Sequence, residues 1–233
     1  MTSTWIDIGL TVVAAIGAIT LHEAAHGFAA WALGDDTAKL AGRLSLNPLR
    51  HVDRVGTILL PGFLMIAQLL TIRHVAFMFG WAKPVPVNAF RFRHPRQDMA
   101  LVAAAGPIMN FLLAWLAALA LHITDTWTGL AGDVAVNFLY MFILTNLALG
   151  LFNLLPIPPM DGGRIVIGVL PLRLAAAWAR VERAGIILVL LGVFLLPQIL
   201  RSFGIEFDPV GSALNTAIPR AMDLVLRLAG HDS

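Results

Sequence analysis

The chain has 233 residues, 58% of them hydrophobic and 13% charged, with a mean hydropathy of +0.81. Ordinary globular domains carry roughly 25% charge, so this composition excludes a soluble domain and describes a membrane protein with short external segments. The net charge of +2 falls in basic blocks beside apolar runs, which an anionic leaflet explains more cheaply than nucleic acid, and the absence of cysteine excludes disulfides and thiolate metal ligands.

A span needs roughly 20 mostly apolar residues. The first such stretch, 5–33, has no basic leader and contains His22-Glu23-Ala24-Ala25-His26, so it reads as a mature span and not a cleaved signal. Residues four apart on a helix share a face, so His22 and His26 can offer two imidazoles to one metal. Glu23 follows the first histidine, where it could take a proton from water. With three glutamates and seven histidines in the chain, HExxH arises by chance roughly 0.003 times per shuffled sequence, so it is informative. The plain competitor, polar side chains packed against one another, is expensive inside a span.

Residues 34–54 mix Gly, Asp, Asn and Pro with alternating Leu40, Leu44 and Leu46, which suggests a loop or short β-hairpin at the membrane surface. Segment 55–80 is long enough to span, but carries Pro61-Gly62 and is either re-entrant or spanning. In 81–97, Pro84, Pro86 and Pro95 exclude a continuous helix and favour an extended run. Spans follow at 98–121, 134–155 and 184–200, and 212–230 reads as an amphipathic interfacial helix interrupted or started by Pro219. The expected fold is a single membrane-embedded, all-α polytopic domain over 1–233. It has about four to five spans, with a re-entrant segment and a surface hairpin or loop added.

Basic residues place 81–97 (Lys83, Arg91, Arg93, Arg96) and 156–183 (Arg164, Arg173, Arg180, Arg183) in the cytoplasm. The 122–133 loop, with Asp125 and Asp133 and no Lys or Arg, faces outward. His22 lies about 26 Å along a helix from Trp5, toward the far end of the first span. If Asp161 joins the same metal, 34–54 is cytoplasmic and the N-terminus outside, and 55–80 must begin and end on one side.

Two histidines leave tetrahedral zinc one protein ligand short when water takes the fourth position. Asp161 is the best third candidate, because the run Asn153-Leu-Leu-Pro-Ile-Pro-Pro-Met-Asp161-Gly-Gly breaks the helix and sets a carboxylate at membrane depth. The alternative is an ordinary cap for the next helix. Asn110 and Asn153 are either scaffold amides or groups that hold the substrate strand or its oxyanion. His51, His74, His94, His122 and His231 read as interfacial or solvated, and Met78 and the other methionines as apolar packing.

HEAAH at 22–26, GDDTAKLAGRLSLNP at 34–48, GWAKPVPVN at 80–88, AGPIMN at 105–110 and NLLPIPPMDGG at 153–163 together resemble the site-2 protease family of intramembrane zinc metalloproteases. The similarity is to the compact bacterial branch without PDZ or CBS domains. It implies one zinc per chain held by His22, His26 and Asp161, Glu23 as catalytic base, and Asn153 positioning the scissile peptide. Asn110 belongs to a second motif of less certain role. The implied activity is hydrolysis of peptide bonds in or near transmembrane segments, close to the cytoplasmic face of a bacterial inner membrane. The partners are then a transmembrane protein or peptide substrate and the lipid bilayer, without nucleic acid. The rivals are a metal transporter or sensor with a non-catalytic site, which gives Glu23 no necessary role, and a membrane scaffold with structural zinc.

Overall fold

A computed structural model describes residues 4–71, 73, 80–124, 126–182 and 185–231. His74, Met78, Asp125 and Arg183 therefore lie outside the described residues. Among the described residues, four helices are long and apolar enough to cross a membrane: Ile6–Ala32, Arg54–Thr71, Pro95–Thr124 and Gly129–Asn153. The fold is all-α and multi-spanning, with no strand among the described residues.

Helix α1 (Thr4–Ala32) turns large apolar side chains outward, with Ile8, Val12, Val13 and Ile16 about half exposed, while Ala14, Ala18, Ala24 and Ala25 are buried. Apolar residues gain nothing by leaving lipid for a protein interior, so close packing of small residues decides which face turns inward. The short helix α2 (Thr37–Leu40) and a 3₁₀ turn, Pro48–His51, punctuate the surface segment that follows. No hairpin forms there. Helix α3 (Leu60–Thr71) continues from a wide π-type turn, Arg54–Leu59, whose first N–H groups are capped by Asp53 Oδ1. The helix therefore continues through Pro61-Gly62, the wide turn preceding the proline that lacks a donor. Residues 72 and 74–79 lie outside the described set, so re-entry of this segment stays an expectation.

Residues 80–88 are extended, and four of their N–H groups are engaged. Trp81 N–H donates to Gly56 O (3.1 Å), Lys83 N–H to His51 O (2.8 Å) and Val85 N–H to Glu23 Oε2 (3.2 Å). Asn88 N–H donates to Asp35 Oδ2 at 2.6 Å. The buried Asp35 also accepts from the N–H and hydroxyl of Thr37 and faces Arg91, which pairs with Asp36. Burial raises the Asp35 carboxyl, but the Thr37 hydroxyl, the Asn88 and Thr37 N–H groups and Arg91 outweigh it and hold its pKa below the ordinary carboxylate value. His51 is 3% exposed, with Nε2 donating to Ser45 O at 2.8 Å, so it is a buried histidine and not a solvated one.

Helix α4 (Pro95–Thr124) is the centre of the bundle and packs against α1 and against α5 (Gly129–Asn153), α6 (Asp161–Val169) and α10 (Pro209–Leu228). Between α6 and α10 come α7 (Leu172–Glu182), α8 (Gly185–Val189) and α9 (Leu196–Ser202), the last two joined by a π-type turn, Leu190–Leu195. Their apolar stretch, Ile187–Ser202, is shorter than the spanning helices. Helix α10 starts at Pro209, capped by Asp208, and carries Pro219 within it. Its Val225, with Ala229 just beyond, joins Ala114, Ala118, Leu121, Ile143 and Leu147 in a buried cluster. His122 and His231 stack at 4.0 Å there and donate to Ala229 O and Ala118 O.

Candidate metal centre

His22 and His26 stand one turn apart on α1, ring centroids 4.6 Å apart and edge to face. Asp161 reaches them because the chain breaks its helix after α5 and folds back on itself. A Cβ on Gly162 would lie 2.2 Å from Leu154 O, and one on Gly163 2.8 Å from Pro158 N, so only glycine permits this return. Asp161 then opens α6 as its first helical residue. The two Nε2 atoms are 3.1 Å apart, and Asp161 Oδ2 is 3.2 Å from His22 Nε2 and 3.3 Å from His26 Nε2. His22, His26 and Asp161 are thus placed to share a single ion.

The far side of each ring says what the near side can do. His26 Nδ1 lies 2.7 Å from Val102 O, and a carbonyl can only accept, so the proton sits on Nδ1 and Nε2 presents a lone pair. His22 Nδ1 lies 2.6 Å from Asn110 Oδ1, with the same consequence. Two lone pairs and a buried carboxylate oxygen without a well-aligned hydrogen bond therefore face one another. Three acceptors in mutual contact repel unless a cation lies between them. A tetrahedral ion roughly 2.0–2.1 Å from each ligand sets ligand edges of about 3.3–3.4 Å, close to the triangle observed. The donor set fits zinc.

Glu23, half-buried, accepts from Val85 N–H and lines a cavity of about 410 Å³ together with both histidines and Asp161. The extended segment lines it with Trp81, Ala82, Pro84, Val85 and Val87, and α5 and α6 contribute Asn153 and Arg164. Asn153 Nδ2 donates to Leu149 O at 3.0 Å. Asn110 is fully buried, does not line the cavity, and binds His22 and Asn146 instead.

Two residues of the centre escape a reading of the sequence. A Cβ on Gly106 would lie 2.5 Å from His26 Nε2 and 2.6 Å from His22 Cε1, so α4 can approach the imidazoles only through a glycine. Asn146, fully buried in α5, accepts from Asn110 Nδ2 at 2.8 Å. Its signal is an amide in the middle of an apolar run, seven residues before Asn153 and so on a similar face.

Residues 122–196, which include Asp161, match Peptidase family M50. The chain is 39% identical over 191 residues to YwhC of Bacillus subtilis, covering 80% of each chain. It is 30% identical over 162 residues to Rip2 of Mycolicibacterium smegmatis, covering 68% of this chain and 56% of that protein. The names of both assign them provisionally as zinc metalloproteases. Over 90 residues it is 33% identical to zinc metalloprotease MJ0392 of Methanocaldococcus jannaschii, 37% of this chain and 24% of that one. No solved structure matches. An identity of 39% sustained over four fifths of both chains places this protein in peptidase family M50, the site-2 protease family of zinc metalloproteases.

Proposed function

We propose that the protein is an intramembrane zinc metalloprotease of a bacterial cytoplasmic membrane, cleaving peptide bonds in or near transmembrane segments of other proteins close to the cytoplasmic face. We assign it to the compact branch of the family, because the connections between its motifs are too short to hold an inserted PDZ-type or CBS module. The observation that carries the activity is the meeting of His22, His26 and Asp161 beside Glu23, in one cavity among spanning helices.

His22 and His26 through Nε2, and Asp161 through Oδ2, would hold the ion. Zinc, when bound, supplies Lewis acidity that polarises a carbonyl and makes water a nucleophile near neutral pH. Glu23 is the base: held at Oε2 by Val85 N–H, its carboxylate takes a proton from the attacking water and returns it to the leaving amide nitrogen. Asn153, on the cavity wall, positions the substrate strand. A transmembrane helix hides its carbonyls in intrahelical bonds, so the substrate unwinds before attack. The extended 80–88 segment lines the cavity where an unwound strand would lie.

Glu23→Gln removes the base and keeps every ligand. Cleavage of a model transmembrane substrate is expected to fall by at least about 10²-fold while zinc content stays at the wild-type level. Undiminished cleavage by Glu23→Gln would end the base assignment.

A further inference from the structure

We propose that Asn146 is a positioning residue that, through Asn110, fixes the proton of His22 on Nδ1 and keeps its Nε2 lone pair directed at His26 and Asp161. His26 needs no such help, because a backbone carbonyl, Val102 O, faces its Nδ1 directly. His22 meets instead the side-chain amide of Asn110, and an amide can turn either its oxygen or its NH₂ toward a ring nitrogen. Something must decide which.

Asn146 decides it. Its Nδ2 lies 2.8 Å from Phe142 O, one turn back on α5, and a backbone carbonyl cannot donate. The Asn146 NH₂ therefore points along its own helix, and Oδ1 is the end presented to Asn110 at 2.8 Å. Asn110 must answer with its NH₂, which leaves Oδ1 for His22 Nδ1 at 2.6 Å. Turning the Asn110 amide over would set two oxygens against each other at hydrogen-bond distance. Both asparagines are 0% exposed, so no bulk water is at hand to relieve such a conflict. The polarity of one α5 carbonyl thus crosses two amides and reaches a ligand on α1.

The helices are shaped to bring these groups together. Gly150 lies one turn beyond Asn146, and a Cβ there would meet Asn110 Cβ at 3.3 Å. On α1, a Cβ on Gly17 would meet the Phe142 ring at 3.3 Å. Neither asparagine lines the cavity, so both act through His22 and not on substrate. With Asn146 gone, only the longer contact of Asn110 Nδ2 with Ala18 O, at 3.5 Å, is left to orient the amide, and a His22 protonated on Nε2 has no lone pair for a metal.

The inference rests on the zinc reading, and two readouts separate them. Competition with a chromogenic chelator in detergent gives the zinc affinity. Imidazole ¹⁵N shifts of zinc-free protein, with His22 assigned from His22→Gln, give the position of the proton. Asn146→Leu is expected to weaken zinc binding by roughly 10–100-fold, the usual effect of losing an outer partner of a ligand. Adding Asn110→Asp should recover most of that loss, because a carboxylate can only accept and needs no neighbour to orient it. A residue that only packs α4 on α5 would not be rescued in this way. Wild-type zinc affinity in Asn146→Leu, or a folded double variant no better than Asn146→Leu, would overturn the relay and leave the metal centre standing. If Asn146→Leu does not fold, the wild-type spectrum decides: His22 should carry its proton on Nδ1, and a proton on Nε2 alone refutes the proposal. Absence of zinc binding by the wild type would instead refute the metal centre itself.

Discussion

Gly106 shows how narrow the tolerances around the ligands are. Helix propensity alone favours alanine over glycine by about 1 kcal/mol, yet a Cβ at 106 would lie 2.5 Å from His26 Nε2. Gly106→Ala is therefore expected to displace the imidazoles and weaken zinc binding at least about tenfold, measured by chelator competition; unchanged affinity would contradict the packing of α4 on the pair. The His/His/Asp cluster itself was legible in the chain. HEAAH announces its chemistry through helical spacing, and Asp161 through the prolines and glycines that expose it. Gly106 and Asn146 were not legible, because their roles depend on distances between helices. His51 misled for a similar reason: its partner, Ser45 O, lies across a turn whose shape no local pattern displays.

Among elements, the extended 80–88 segment ties the surface loop to the site. It reaches toward Glu23 at Val85, toward the Arg54–Leu59 turn at Trp81, and toward Asp35 at Asn88. Asp35→Asn sets an NH₂ among donors, and should destabilise the fold by about 1–3 kcal/mol. The sign of its pH dependence follows from the lowered pKa of Asp35. The charged-state stabilisation is fully present above the unfolded value of about 3.9 and is lost as pH falls through the lower folded value. The gap in thermal midpoint between wild type and Asp35→Asn should accordingly be largest above about pH 4 and shrink below it. A gap that widens in acid would refute the assignment. The extended run was legible from Pro84 and Pro86. Its partners were not: a 3₁₀ turn, a π-type turn and the carboxylates of Glu23 and Asp35 accept from its N–H groups, and of the loop or hairpin expected at 34–54 it is the loop that forms.

At the scale of the molecule, large apolar side chains face outward from the spanning helices, and alanines such as Ala14, Ala18, Ala114 and Ala118 take much of the buried face of α1 and α4. That pattern made the membrane class legible from composition, while helix ends moved: the expected 134–155 span begins five residues earlier, at Gly129. Helix α4 crosses once between the 34–54 and 80–94 surface and the 126–128 turn, so these should lie on opposite sides. The cysteine-free chain allows a clean check. Leu49→Cys, at a position 78% exposed, should react with an impermeant maleimide only from the cytoplasmic side, and Thr126→Cys only from outside. Labelling of both from one side would undo the proposed orientation. In the proposed centre, two residues of α1 and one of α6, 135 positions apart in sequence from His26 to Asp161, hold a single zinc. Zinc content of purified Asp161→Ala tests it most directly. About one zinc per chain is expected in wild type and in Glu23→Gln, with at least about a tenfold loss of affinity in Asp161→Ala; an Asp161→Ala protein with wild-type zinc content and affinity would refute the shared centre.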